Sequence, residues 1–387
     1  MPPDPTAKPA NLPAILQIIP ALDAGGAERT TVDVAEALAR AGFLPLVASE
    51  GGRLEPALAA RGGELIAMPL DTKWPHALAA NALRLARIAR ARNVKLIHAR
   101  SRAPAWSAAY AARRTGTPFV TTYHGIYNAG NPFKRFYNSV MVRADAVIAN
   151  SEWTADHIVT VHGVPRDRIT VIHRGIDLAL FDPASVAPDR VAKLRGEWGA
   201  KESDIVVLLP GRLTRWKGQL VLIEALARMK RASGIRAVLA GDAQGRTAYE
   251  AELETSIARA GLGARVAVVG HVADMTAAYL AADIVVSAST DPEAFGRVAA
   301  EAGAMKRPVV ATDHGGARET VVAGQSGLLV PPGDAEALAR ALETLADMDA
   351  NARAAMGAKG RAHVAGNFTL ERMCADTIAL YRRLLRS

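Results

Sequence analysis

The sequence predicts an α/β protein built as two doubly wound domains, each a parallel sheet with helices on both faces. Three observations carry this. Short apolar runs alternate with amphipathic segments along nearly the whole chain, the signature of strands connected by covering helices. That rhythm breaks once, after His173, in the turn-rich stretch RGIDLALFDPASVAPDR. The length of 387 residues is long for one domain and comfortable for two, each able to bury its own core.

Taken in order, the first series of candidate strands is AILQII, PLVAS, ELIAMPL, VKLIHA, PFVTTYH, DAVIANS and ITVIH, with amphipathic segments between them such as Ala27 to Ala41 and Ala77 to Arg92. The stretch before the first strand lacks a basic leader, and Pro13 and Pro20 bracket its apolar part, so it reads as a tail entering a strand. The polar segment RVAKLRGEWGAKES follows the break and reads as a helix. A second series begins there: IVVLLPG, RAVLAG, RVAVVGH, DIVVSAS, RPVVATD and GLLVPP. The closing segment, FTLERMCADTIALYRRLLR, has an amphipathic helical pattern with a basic end. The expected domains are residues 1–185, 186–368 and a terminal helix over 369–387. Ligands of doubly wound sheets bind outside the carboxyl ends of the strands, so a cleft between facing domains is the expected site.

Composition narrows the class. Half of the residues are apolar and charges of both signs are interspersed, which excludes a disordered chain. The single cysteine, Cys374, rules out an intramolecular disulfide and suits a reducing compartment as a structural thiol. No apolar run approaches membrane-spanning length, and a cytoplasmic location is expected. The net charge of +9 is unevenly spread: from Thr72 to Ala144 there is no Asp or Glu but thirteen Lys or Arg, so the remainder is net acidic. Arg84, Arg87 and Arg90 recur at helical spacing in that window, with Trp74 and Trp106 as candidate anchors. An anionic membrane surface is the expected contact, a solvated basic face the bland alternative. A nucleic-acid binder is disfavoured because recognised motifs and interleaved stacking aromatics are missing.

The stretch Ser289–Glu301, STDPEAFGRVAAE, concentrates the chemistry. Gly296 permits close backbone approach, and a helix opening at Phe295-Gly296 would offer amides to a phosphate. Glu293 and Glu301, eight positions apart, are expected on nearly one helical face. In PGRLTRWKGQ, Arg212 and Lys217 sit between a strand and a helix, bracketed by Gly211 and Gly218, where cations would neutralise a departing diphosphate. A solvated basic loop is the plain alternative. Gly26, in Asp23-Ala24-Gly25-Gly26-Ala27-Glu28, follows the first strand in a paired-glycine turn. His124 closes a strand at its carboxyl end, where a lone histidine is more often structural. Gly241 and His271 follow strands of the second series, although turn chemistry alone explains such glycines. Gly261-Leu262-Gly263 precedes a strand, so the dinucleotide fingerprint is absent. Asp347-Met348-Asp349 reads as a surface cap, and no metal site is expected.

With GGAE, GRLTRWKG and EAFGRVAAE in that order, the chain resembles the family 4 glycosyltransferases, retaining enzymes of the GT-B type, from the first strand to near the C-terminus. The resemblance implies two Rossmann-like domains facing each other across a cleft, with the last helix crossing back onto the first. It implies that Gly26 contacts donor phosphate or acceptor, that His124 lies beside the donor sugar, and that Arg212 and Lys217 hold the diphosphate. Glu293 would contact sugar hydroxyls, Phe295 and Gly296 would present backbone to the donor, and Glu301 would take the ribose hydroxyls. A nucleotide-sugar donor is then a substrate, with no cofactor and no metal, and the acceptor is saccharide or lipid-linked, such as an envelope glycolipid or lipopolysaccharide intermediate. A nucleotide-sugar epimerase of the same architecture is the alternative enzyme. Arg174-Gly175 stands where the family often has Asn-Gly, and the family often has a glycine near Lys306.

Overall fold

The structure, a computed structural model, describes residues 12–23, 25–127, 130–230 and 234–386. The tail expected before the first strand lies outside the described residues, as does Ala24. The chain divides into two compact units: one runs to His173 and resumes at Glu371, the other is Arg174–Leu370.

In the first unit, β1 (Ala14–Ile18), β2 (Leu44–Ser49), β3 (Glu64–Ala67), β4 (Val94–Ala99), β5 (Phe119–Tyr123), β6 (Ala146–Ala149) and β7 (Ile169–Val171) form a seven-stranded sheet in the order β3-β2-β1-β4-β5-β6-β7. Every pairing is parallel. The helices between them are α1 (Gly26–Arg40), α2 (Glu55–Ala60), α3 (Pro75–Ala91), α4 (Arg102–Thr115), α5 (Pro132–Asn138) and α6 (Glu152–His162). Central strands are apolar without alternation because helices cover both faces: every residue of β1 is buried, whereas the edge strand β3 is only half-buried. α6 shows how local chemistry sets boundaries. The Ser151 hydroxyl accepts from the Thr154 amide at 2.9 Å at its start, and Gly163 ends it at φ +66°.

The second unit repeats the plan. Helix α7 (Pro188–Glu197) leads into β8 (Ile205–Pro210), α8 (Gln219–Arg228), β9 (Ile235–Ala240), α9 (Thr247–Arg259), β10 (Val266–Gly270), α10 (Met275–Ala281) and β11 (Ile284–Ser287). α11 (Arg297–Ala304), β12 (Val309–Thr312), α12 (Ala317–Thr320), β13 (Gly327–Val330), α13 (Ala335–Asp347) and α14 (Ala350–Asn367) complete it, and α15 (Leu370–Leu384) ends the chain. Its six strands are parallel in the order β10-β9-β8-β11-β12-β13. Asp349 caps α14 by accepting the Ala352 amide at 2.8 Å, the role expected for that acidic pair.

The first crossing falls at His173/Arg174, earlier than the expected 185/186. The connecting stretch stays with the second unit for two physical reasons. Ile176 pairs with Thr369, and Phe181 and Val186 are buried in the same cluster as Trp198 and Tyr279. The chain returns to the first unit at Glu371. α15 is anchored on the first unit's sheet by buried polar groups: the Tyr381 hydroxyl meets Nδ1 of His98, whose Nε2 lies 2.7 Å from the Thr122 hydroxyl. Beside them Arg100, 3% exposed, donates from Nε to Oε1 of Gln17 at 2.8 Å. Cys374 is buried on the same helix, and burial pushes its thiol up to about 12, which suits a structural residue.

Candidate active site

In each sheet the strand order reverses beside the first strand of its unit, between β1 and β4 and between β8 and β11. Loops leaving two such strands diverge and open a crevice, the switch point where doubly wound folds bind ligands. In the second unit the loops after β8 and β11 carry Lys217 and Glu293.

The β8 loop folds into a tight turn over Arg215–Lys217. Gly218 then begins α8 at φ +76°, where a Cβ would lie 1.9 Å from the Ala288 carbonyl oxygen. Only glycine lets this turn sit against the end of β11. The two loops are stitched together by the Thr290 amide donating to the Trp216 carbonyl at 2.7 Å. Glycine also permits the neighbouring strand end, since a Cβ on Gly241 would lie 1.8 Å from the Gly211 oxygen.

Lys217 Nζ donates to Oε1 of Glu293 at 2.7 Å, with the side chains 13% and 14% exposed. The ammonium also lies 4.4 Å from the Trp216 ring centroid. The Ser289 hydroxyl donates to the same Glu293 oxygen, and His314 Nε2 donates to the Ser289 carbonyl at 2.8 Å. Burial alone would raise the Glu293 carboxyl. The opposing charge and hydrogen bond of Lys217, the Ser289 hydroxyl and the field of His314 outweigh it and hold the group below its ordinary value. Glu293 is therefore an anion that orients a cation at a partly accessible strand end.

The loop that presents Glu293 rests on a second paired glycine. The Gly316 amide donates to the Glu293 carbonyl at 2.8 Å, and a Cβ on Gly315, at φ +61°, would lie 2.4 Å from that oxygen. His314 and Gly315-Gly316 are absent from the residues singled out by sequence, and Ser289 stands there only as the start of its stretch. A signal was available: Asp313-His314-Gly315-Gly316-Ala317 repeats the pattern of Asp23-Ala24-Gly25-Gly26-Ala27 after a strand of the other unit.

Glu293 and Glu301 do not share a helical face. α11 begins at Arg297, with Gly296 in the left-handed region at φ +82° as its N-cap, so Glu293 stands in the preceding loop. The expectation counted two helical turns through residues that the left-handed glycine keeps out of the helix. Glu301, 7% exposed, accepts from the Tyr279 hydroxyl at 2.8 Å and from Arg297 Nε. Burial, then the nearness of Glu301, raises Tyr279 well above its ordinary value, and Glu293 adds to this. The two carboxylates thus share one electrostatic neighbourhood without lying on one helix. Phe295 is buried, its ring edge-on to Phe368 at 5.5 Å, so this side chain anchors the loop and only its backbone is left to face a ligand. Arg212 is exposed at the start of the β8 loop, where its carbonyl accepts from Gln219 Nε2 at 3.0 Å. His271 is exposed just after β10, behind Gly270 at φ +65°.

In the first unit, Gly26 is the first residue of α1, its carbonyl accepting from the Thr30 hydroxyl at 2.8 Å. His124 directly follows β5 and is half-buried. Both occupy carboxyl ends of strands, as expected. In the basic window, Trp74 is 71% exposed, but Trp106 is packed, its Nε1 donating to the Tyr137 carbonyl at 3.2 Å. Phe133 and Phe136, at 87% and 60%, are also exposed there and flank Lys134 and Arg135, and Tyr110 is exposed at 48%. Among the described residues, no helix is long and apolar enough to cross a membrane.

The family model for glycosyl transferases group 1 matches residues 191–363, and that for glycosyltransferase family 4 matches residues 24–180. A D-inositol 3-phosphate glycosyltransferase of Xylanimonas cellulosilytica is 35% identical over 64% of this chain, which spans only 63% of that protein's length. A lipopolysaccharide core biosynthesis mannosyltransferase of Rhizobium leguminosarum, LpcC, is 32% identical over 63% of this chain and 66% of its own. Among solved structures, a glycosyltransferase of Rickettsia africae superimposes with a TM-score of 0.90 at 35% identity, over 97% of this chain and 100% of that one. Anabaena HepE in complex with UDP-glucose gives 0.80 at 28% identity, over 95% and 99%.

Proposed function

The chain belongs to the group 1, family 4 glycosyltransferases, with a GT-B fold, and from that premise we propose that it transfers a sugar from a nucleotide-sugar donor to an acceptor hydroxyl with retention of configuration. The observation that carries the reading is the Lys217–Glu293 pair at the β8/β11 switch point, held between glycines that admit no side chain. HepE, which binds UDP-glucose, supports a donor of that class.

Lys217 neutralises the developing charge of the departing diphosphate, and Arg212, exposed at the same loop, closes on it as a fork. Glu293 orients Lys217 and takes a sugar hydroxyl with the oxygen that Lys217 and Ser289 do not occupy. Amides at the start of α11, which no side chain caps, complete the anion seat. Glu301 receives the ribose, and Gly241 and His271 flank the base. Gly26 and His124 serve the acceptor and the donor sugar. Each cation contributes at most about 4 kcal/mol at an effective dielectric near 20. The barrier reductions of enzymes run from about 8 to 23 kcal/mol, so orientation and exclusion of water supply the rest. The phosphate itself deprotonates the acceptor on the face it leaves, with no protein nucleophile.

These two cations do the work that a divalent ion does elsewhere, so turnover is expected to persist in chelator; loss in chelator restored by magnesium contradicts this. The acceptor is proposed to be a saccharide or lipid-linked, and the place of action the cytoplasmic face of a membrane. The exposed Phe133 and Phe136 beside Lys134 and Arg135 support a lipid surface, as does the likeness to a lipopolysaccharide core enzyme. Co-sedimentation with anionic vesicles that is salt-sensitive and lost in the F133S/F136S double variant is expected; no binding leaves only a solvated face.

A thermal-shift panel of UDP-, GDP- and ADP-sugars tests the donor, since a ligand of the native state raises its melting temperature. One nucleotide series is expected to stabilise the protein, and acceptor-dependent nucleotide release then separates transfer from epimerisation. A flat response to all three series, with no acceptor-dependent release, removes the proposal.

A further inference from the structure

At the amino end of the second unit's sheet, opposite the candidate active site, a cavity of about 300 Å³ opens beside the starts of β11 and β12. Lys306, Arg307 and Arg353 line it, against a single carboxylate, Asp283. Asp283 is already engaged, its Oδ2 accepting the Val206 amide at 2.8 Å and Nη1 of Arg195 at 3.3 Å. Arg353 spends one nitrogen on the carbonyls that end α13, at 3.2 Å to Leu345 and Ala346. Nε of Arg307 is buried and has no hydrogen-bond partner among the described residues. Burial accordingly lowers the guanidinium's affinity for its proton; Asp283 opposes this and Arg195 adds to it. A buried guanidinium nitrogen left without an acceptor is costly and rare.

Lys306 makes the arrangement more unusual. α11 ends in a Schellman turn, the Arg307 amide donating to the Ala302 carbonyl and the Lys306 amide to the Gly303 carbonyl, each at 2.9 Å. The residue between cap and turn must be left-handed, and Lys306 has φ +56°, a conformation glycine adopts without penalty. Here a lysine takes the strain and stands in the wall of the cavity. A Cβ on Gly357 would lie 2.0 Å from the Lys306 oxygen, so α14 presses on this turn and holds it. The first turn of α14 completes the wall through Ala350 and Ala354.

We propose that this cavity binds a small phosphate-bearing solute, with Arg307 supplying the Nε donor that now lacks an acceptor and Lys306 a point charge at the rim. It is a second anion site, separate from the donor site at the other end of the same strands.

The test is calorimetric titration of the full chain with inorganic phosphate and with pyrophosphate, chloride-matched for ionic strength, on wild type, Lys306→Gly, Arg307→Met and Lys217→Ala. Glycine suits the backbone at 306, so that variant folds, as far-UV circular dichroism would verify. The expected signature is a binding component weakened at least about tenfold in Lys306→Gly and in Arg307→Met and retained in Lys217→Ala. If no component behaves this way, whether because wild type does not bind or because all binding follows Lys217, the proposal is overturned.

Discussion

Two polar clusters, one in each unit, are built on opposite terms. In the first unit, His98, Arg100, Gln17, Thr122 and Tyr381 are sealed beneath α15, and the charge of Arg100 is met by the neutral Gln17 amide. In the second, Lys217 meets a full carboxylate, and both members keep a fraction of their surface open at a strand end. A sealed network of neutral partners fixes one arrangement of helix and sheet. An accessible, charge-matched pair at a switch point can exchange one of its contacts for a ligand. On the proposed function, burial of charge marks a joint in one unit and a working site in the other, and the difference lies in solvent access and in what the cation is paired with.

The largest expected effect separates the clusters by kinetics. Lys217→Ala should lower turnover by at least about two orders of magnitude, the scale lost when one stabilising donor is removed from a transition state. It should also cost about 1–3 kcal/mol of stability in urea, since Glu293 loses its counter-charge while staying partly solvated. Near-normal turnover would make this pair a joint like the other.

Tyr381→Phe should show the converse. Losing the hydroxyl that meets His98 should destabilise the protein by about 1–3 kcal/mol in urea while leaving turnover per folded molecule unchanged. A turnover loss without a stability loss would give the sealed cluster a role in chemistry.

The smallest effect is in pH. His98 is held well below its unfolded value of 6.5, by burial first and then by the charge of Arg100. Below 6.5 the unfolded chain binds a proton that the native chain refuses, so stability should fall on acidification by at most about 1.4 kcal/mol per pH unit from this group. Glu293 is also depressed, so its contribution is complete above its unfolded value of 4.5 and is lost as pH falls through its lower folded value. Urea midpoints against pH should show the first decline in wild type and a shallower one in His98→Gln.

The architecture could be read from sequence because burial on both faces leaves uninterrupted apolar runs, and all thirteen expected strands are present in two parallel sheets. Lys217, Glu293 and Gly296 were readable because glycine and charge cluster at strand ends. What was hidden depends on contacts distant in sequence. Phe181 and Val186 draw the linker into the second core, which moved the boundary. A left-handed Gly296 excludes Glu293 from α11, which no spacing rule reports. His314 reaches the site from another strand's loop, through the carbonyl of Ser289 and through its field at Glu293. The exposure of Phe133 and Phe136 was equally out of reach, because their composition alone suggests core.

The most direct test of the Lys217–Glu293 pair as the diphosphate seat compares two ligands on two proteins. For the nucleotide series that stabilises wild type, calorimetry should show the nucleoside diphosphate binding at least about tenfold more weakly to Lys217→Ala, with the parent nucleoside binding both proteins equally. Equal affinity of the diphosphate for the two proteins, or an equal loss for the nucleoside, would contradict the account.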